Sequence, residues 1–469
     1  MLVKDIVDTH KVTLIGTHSG LGGFFHGPLW LYLLIPFYLI GKGNPFVFTY
    51  AYILIALVTV LSGFLVGKKL YNTWTGLFIA FLLAVSPTIW SYVPNTIGVN
   101  MLPLVYIFLF YFLIRYLRGD IKAYIFAIFF AGLALQFEAA LPLVVLLVVF
   151  LSFFLQKKAY KQWKIIFTSI GALLLSLSTF ILFDIRHQFL QTKALLGIFS
   201  QSKQGSDYLT LPERFVSHAA SFGNVYQSVL IQKTTILELL FLALIGLFLW
   251  YSKAKGNLPK QQLKEIWYVF LFPVALFIIY TGFAHPIYPE YLLGITVPVA
   301  IGLSVISTTV WKEIYGKVLV ILFVSITLWI AGTKIFTPYH PDKTAGSYLN
   351  QKYVVDWILH DTHGEKVGYF VYTPETFTYG MDYLLWWKSK QLHTMQPVSE
   401  KLPVTYLILY PAPTGDEGAH AFWKKTKVRT NASVIERKQF PSGITVEKVS
   451  IKPDEPPVDP TYFQNLIFR

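Results

Sequence analysis

The sequence predicts an all-α polytopic membrane protein with about ten transmembrane helices and a small C-terminal α/β domain on the extracytoplasmic side. Three observations carry this expectation. Long apolar runs recur through the first 334 residues, Lys and Arg concentrate in alternate connections between them, and beyond residue 334 the apolar runs shorten and alternate with polar segments. Of 469 residues, 54% are hydrophobic and only 14% charged, where ordinary soluble domains carry roughly 25% charged residues. Most of the chain is composed for lipid rather than water.

A bilayer core of about 30 Å takes about 20 apolar residues per helix, with roughly 17 sufficient. Runs that approach this length lie at 47–67, 75–90, 101–117, 123–137, 139–156, 165–185, 234–251, 266–284, 292–310 and 318–333. The run 28–41 is shorter and contains Pro28 and Pro36, so it reads as a helix lying in or re-entering the interface.

Five connections are basic: Lys68 and Lys69; Arg115, Arg118 and Lys122; Lys157, Lys158, Lys161 and Lys164; Lys253, Lys255, Lys260 and Lys264; Lys312 and Lys317. The short connections at 91–100, around Glu138 and at 285–291 hold no Lys or Arg. The positive-inside bias places the basic set in the cytoplasm and the others outside. It also accounts for the net charge of +14 without a nucleic-acid partner. The connection 186–233 is too long for a tight turn and calls for helices of its own.

Counting back from the first basic loop puts residues 1–46 outside, together with everything after Lys334. The expected division is an outer loop with an interfacial helix at 1–46, a membrane domain at 47–334, an α/β domain at 335–452 and a tail at 453–469. In the α/β domain, helices are expected at 343–363, 376–388 and 417–427, and strands at 366–372, 404–410, 433–439 and 445–451. The Pro-rich stretch 452–460 reads as a disordered end.

With no cysteine in the chain, any chemistry falls to carboxylates, His, Arg or Tyr. Ionisable residues near membrane depth are costly and mark function, so the outer ends of the spans hold the candidates. Glu138 lies between two apolar runs and is either a solvated turn residue or a carboxylate facing a cavity. Asp184, Arg186 and His187 follow the sixth run, where Arg186 suits a phosphate because a guanidinium binds two oxygens at once. The alternative is an Arg186–Asp184 pair that ends the helix. The segment His285-Pro-Ile-Tyr288-Pro-Glu290-Tyr291 fits a sugar-site lining or an interfacial aromatic belt equally well. His26 and Asn100 join them as candidate substrate ligands.

The glycine-rich stretch 20–29 lacks the Gly-Lys-Ser/Thr of a phosphate loop. Asp5 and Asp8 sit on an amphipathic segment, as surface carboxylates or as bases. No His-x-x-x-His spacing and no nucleophile elbow occur.

The run Phe-His-Gly-Pro-Leu-Trp-Leu-Tyr-Leu-Leu at 25–34, Gly-Asn-Pro at 43–45, Gly-Lys-Lys-Leu-Tyr-Asn at 67–72 and Ala-Val-Ser-Pro at 84–87 together form a pattern. Gly-Leu-Ala-Leu-Gln at 132–136, Asp-Ile-Arg-His-Gln-Phe at 184–189 and Asp-Tyr-Leu-Leu-Trp-Trp at 382–387 extend it. In that order they resemble glycosyltransferase family 39, relatives of the protein O-mannosyltransferases with the GT-C fold.

The resemblance implies transfer of a sugar from a polyprenyl-phosphate donor to a glycan, lipid or protein acceptor at the outer face. It implies no certain cofactor, and leaves a divalent-metal requirement open. The family's first outer loop carries a catalytic carboxylate, which takes the acceptor proton as the sugar centre inverts. Counting back to that position runs past Met1, so an upstream helix and that carboxylate are expected to precede this sequence. Asp5, Asp8 and Glu138 are then the catalytic candidates present, and Glu138 stands where related sequences often place a His. Two readings compete: a truncated inactive relative, and a lipid-sugar transporter or flippase.

Overall fold

The structure is a computed structural model that describes residues 2–19, 24–200, 210–230, 259–282, 287–336, 344–374, 378–413 and 418–462, with the single positions 246 and 416. The chain divides into a membrane unit up to residue 337 and a C-terminal unit from residue 338.

The membrane unit begins with α1 (Leu2–Thr9), α2 (Leu29–Ile40), α3 (Phe46–Leu70), α4 (Thr73–Val85) and α5 (Pro87–Tyr92). It continues through α6 (Leu102–Leu117), α7 (Ala123–Ala134), α8 (Ala140–Ser152), α9 (Trp163–Ser176), α10 (Ser178–Arg186), α11 (Leu190–Ser200) and α12 (Leu211–Leu230). It closes with α13 (Lys260–Thr281), α14 (Thr296–Val310) and α15 (Ile314–Phe336). Among the described residues, five helices are long and apolar enough to cross a membrane: Phe46–Leu70, Gly98–Leu117, Lys260–Thr281, Pro289–Val310 and Ile314–Thr333. The pair α9 and α10 makes a sixth candidate, bent by 66°.

The fold class is the one expected, but not all runs are full-length single helices. The run 75–90 breaks at Ser86, whose side chain caps a new helix with Pro87 at its first position. The runs 123–137 and 139–156 become helices of 12 and 13 residues around a turn, shorter than a bilayer span requires. The run 234–251 lies outside the described residues, position 246 excepted.

Small residues bring the helices together. A Cβ on Gly67 would lie 2.7 Å from the Cα of Gly76, so α3 and α4 touch backbone to backbone. Thr75 and Thr308 share a hydrogen bond of 3.1 Å between α4 and α14. In the Pro289–Val310 helix, 89% of the apolar stretch is buried inside protein, against 22% in Ile314–Thr333, so α14 is central and α15 peripheral.

At the basic ends of the helices, Glu265 of α13 is 1% exposed. The Nε and Nη2 atoms of Arg118 both donate to its carboxylate at 2.8 Å, and the Tyr71 hydroxyl donates at 2.8 Å. Arg118 also stacks over the Tyr71 ring, 4.9 Å from its centroid. One buried carboxylate thus ties α13 to the ends of α3 and α6.

The C-terminal unit holds α16 (Tyr348–Asp361), β1 (Gly368–Tyr372), α17 (Tyr379–Leu392), β2 (Val404–Leu409), α18 (Ala419–Trp423), β3 (Ser433–Gln439) and β4 (Thr445–Ser450). The sheet order is β1-β2-β4-β3. Parallel β1 and β2 are joined across α17, as a parallel connection demands a crossover, and β4 pairs antiparallel with both β2 and β3. Alternation along the strands sends Tyr369, Val371, Tyr406 and Ile408 to the face covered by α16 and α17. Phe370, Leu407 and Leu409 point to the other face, against Trp423 and Val428.

Candidate functional site

Four segments of the membrane unit meet at the end opposite the Glu265 pin. Residues 16–18 pair with residues 24–26 through hydrogen bonds from Gly16 N–H to the His26 carbonyl (2.7 Å) and from His26 N–H to the Thr17 carbonyl (2.9 Å). A Cβ on Gly27 would fall 2.0 Å from the side-chain oxygen of Gln136, so the chain just after this pairing lies directly on the α7–α8 turn. The 3₁₀ turn Gly98–Met101 touches the same turn, with Gly98 against the Phe137 carbonyl. The 3₁₀ turn Pro289–Ile295 packs on α6 and α8.

Glu138 sits in the α7–α8 turn and is 1% exposed, which overturns the reading of it as a solvated turn residue. Its carboxylate accepts the N–H groups of Ala140 at 2.7 Å and Leu141 at 3.1 Å, the unsatisfied donors of the first turn of α8. Burial pushes its pKa up to about 7, with the backbone donors opposing the shift and nearby Glu290 adding to it.

Around it stand tyrosines. Tyr106, Tyr280 and Tyr291 all lie within electrostatic reach of Glu138. The Tyr106 ring rests on Gly294, where a Cβ would come within 2.4 Å, and its buried hydroxyl has no hydrogen-bond partner among the described residues. The Tyr92 hydroxyl donates to Glu290 at 3.4 Å. Tyr288 is half exposed and packs edge-on against Tyr291 at 5.5 Å.

Gln136 braces the site from behind. Its amide donates to the Ser176 carbonyl at 2.9 Å and to the Thr179 hydroxyl at 3.0 Å, at the break between α9 and α10. Asn100 is buried, with its amide clamping the carbonyls of Tyr92 and Asn95 at 2.9 and 2.8 Å while its Oδ1 has no partner among the described residues. Burial, with His18 nearby, lowers His26 to about 4, so its imidazole is neutral near pH 7.

The residues around 184 separate by role. Asp184 accepts the N–H groups of Gln191 at 2.8 Å and Thr192 at 3.0 Å, and so serves the start of α11 rather than pairing with Arg186. Arg186 is exposed at the end of α10 and makes no ion pair among the described residues. His187 is held by a bond from its ring to the Phe183 carbonyl (2.9 Å) and stacks on the Phe183 ring at 4.1 Å. Phe183 in turn packs on Phe25, next to His26.

The structure therefore brings Glu138, Glu290 and Tyr291 together, with Asn100 and His26 on adjoining segments. It places Asp5 and Asp8 elsewhere. Both lie near Tyr38 at the far end of α2, about 12 Å along the helix axis from Trp30, which packs on Gly16 and Gly98. Asp8 is paired with Lys4 at 2.9 Å. His285 lies outside the described residues. Among the described residues, no group of three or more His, Asp or Glu is arranged to hold a metal ion.

Tyr92, Tyr106, Tyr280 and Gln136 were not singled out from the sequence as site residues. Nothing local distinguishes a site tyrosine from one of the 29 in this chain.

No protein-family model matches the chain, and no curated protein does. Solved structures similar to it include two of one protein. ArnT from Cupriavidus metallidurans bound to undecaprenyl phosphate superposes with a TM-score of 0.56 at 12% identity, covering 95% of this chain and 92% of that one. The same protein in the apo state gives 0.55 at 11% identity, covering 95% and 91%. The likeness extends over both units and shows a GT-C-like fold.

Proposed function

We propose that this chain is a membrane glycosyltransferase that moves a sugar from a polyprenyl-phosphate donor to an acceptor hydroxyl at the extracytoplasmic face. The observation that carries the reading is the buried Glu138 carboxylate at the head of α8, beside Glu290 and Tyr291. The fold supports it, since the similar ArnT structure binds undecaprenyl phosphate.

In the proposed reaction the acceptor oxygen forms a bond to the anomeric carbon as the bond from that carbon to the phosphate oxygen breaks. Polyprenyl phosphate leaves with the bonding pair. Glu138 takes the acceptor proton, a role suited to a carboxylate whose pKa lies near neutrality. Arg186, exposed and without an ion pair among the described residues, binds the phosphate and stabilises its charge. Neutral His26, Asn100, Tyr288 and Tyr291 offer hydrogen bonds to sugar hydroxyls.

The test is sugar transfer in proteoliposomes supplied with a panel of polyprenyl-phosphate sugars, read by mass spectrometry of the products. Transfer by the wild-type chain that is lost in both Glu138→Gln and Arg186→Gln supports the reading. Undiminished transfer in both variants overturns the site.

A further inference from the structure

The C-terminal unit contains a groove of ≈ 930 Å³ between the turn after α18 and the segment that follows β4. Its walls are built unusually. Helix α18 runs into a π-turn, Lys424–Val428, which ends at Arg429 with φ of +58°, a left-handed conformation that costs a non-glycine residue free energy. The strained turn is held from both sides. The Lys401 ammonium donates to the Arg429 carbonyl (2.8 Å), the Glu455 carboxylate (3.1 Å) and the Pro456 carbonyl (2.8 Å). Arg429 pairs with Asp459 at 3.2 Å, and Asp459 N–H donates to the Lys427 carbonyl at 2.9 Å. The two walls are thus cross-braced, and the groove is formed before any ligand arrives.

What lines it indicates what it takes. Glu455 and Asp459 are already satisfied by Lys401 and Arg429. Lys425 and Lys452 are exposed and make no ion pair among the described residues, and of the carboxylates only Asp454 shares that state. Asn431 and the paired serines Ser433 and Ser450 add amide and hydroxyl groups. Among the described residues, no aromatic ring lines the groove, and Ala432 and Pro456 are its only wholly apolar side chains. Neither a nucleobase nor an aliphatic tail would find a partner here, because those ligands rely on stacking and apolar contact.

We propose that this groove binds an anionic saccharide, a run of hydroxyl-bearing sugars carrying carboxylate or phosphate. The ammonium groups of Lys425 and Lys452 pair with the acid, while Asn431, Ser433 and Ser450 meet the hydroxyls. This site is independent of the transfer reaction proposed for the membrane unit.

The experiment is calorimetric titration of the full chain in zwitterionic nanodiscs with a short oligogalacturonate and with its methyl ester, which keeps the hydroxyls and removes the charge. The acid form is expected to bind, and the ester at least about tenfold more weakly. Lys425→Gln with Lys452→Gln is expected to weaken the acid form by about tenfold or more, and Asp454→Asn to tighten it. A change at Lys157 and Lys158 to Gln, in a basic loop of the membrane unit, is expected to leave binding unaltered. Absence of binding, equal affinity for the ester, no effect of the groove lysines, or an equal loss from the Lys157 and Lys158 change would each overturn the proposal.

Discussion

The Gln136 amide donates to the Ser176 carbonyl at 2.9 Å, across the 66° break that separates α9 from α10. The break frees that carbonyl from helical hydrogen bonding, and Gln136, two residues before Glu138, satisfies it. Gln136→Leu is expected to destabilise the membrane unit by about 1–3 kcal/mol, the cost of an unsatisfied buried acceptor. Thermal unfolding in detergent measures it. Gln136→Glu, which sets a carboxylate against the carbonyl, should be worse.

Burial raises the Glu138 pKa to about 7. As a base it must be ionised, so transfer is expected to rise with pH through about 7 and level off above. Glu138→Gln should lower the rate about 10²- to 10⁴-fold and abolish that limb. The sign for stability is opposite. The folded state holds the proton more tightly than the unfolded chain, whose Glu titrates at 4.5, so stability is lost as pH rises from there through about 7. The Gln variant should therefore melt above the wild type at pH 8 and not at pH 4, as paired melting curves would reveal.

Gly294 leaves just enough room for the Tyr106 ring, since a Cβ would come within 2.4 Å of it. Gly294→Ala is expected to cost about 1–3 kcal/mol through overpacking. Combining it with Tyr106→Leu should recover part of the loss, and a double-mutant cycle on melting temperatures decides whether the two residues are coupled.

The Arg118–Glu265 pair is buried on the carboxylate side, with two bonds of 2.8 Å. Arg118→Ala should cost about 3–5 kcal/mol, because it strands a buried charge. Arg118→Met with Glu265→Leu together should cost less than either single change. Chemical unfolding of the four proteins distinguishes a structural pin from independent contributions.

Arg186 is exposed and makes no ion pair among the described residues. Arg186→Gln is expected to lower kcat/KM for the lipid donor by about tenfold or more, with partial recovery in Arg186→Lys, which restores charge but not the two-pronged geometry. Initial rates against donor concentration test it.

The helix and strand positions of the C-terminal unit lie close to those read from the sequence, because β1 and β2 are short apolar runs buried on both faces and the apolar positions of α16 fall on one buried face. The broken run 75–90 was less legible, since Pro87 is apolar enough to pass within a hydrophobic run while removing a backbone donor. Glu138 was visible as a charge among apolar residues. Glu265 was not singled out, because it lies among lysines on a helix end that reads as a solvated basic loop.

What the sequence determined by itself is the class of the protein: a helical membrane unit followed by a small α/β unit. Apolar runs, basic connections and strand alternation are local properties, and each residue adds to them independently of distant partners. Which polar side chains are buried together was decided only by the tertiary structure. Glu265 meets Arg118 across 147 positions, and Phe25 N–H meets the Gln191 side chain across 166. Whether a carboxylate such as Glu138 is solvated or sequestered depends on what packs over it. Here the turn at 289–295, far from it in the chain, packs on α8 beside it, and Gly27 rests on its near neighbour Gln136.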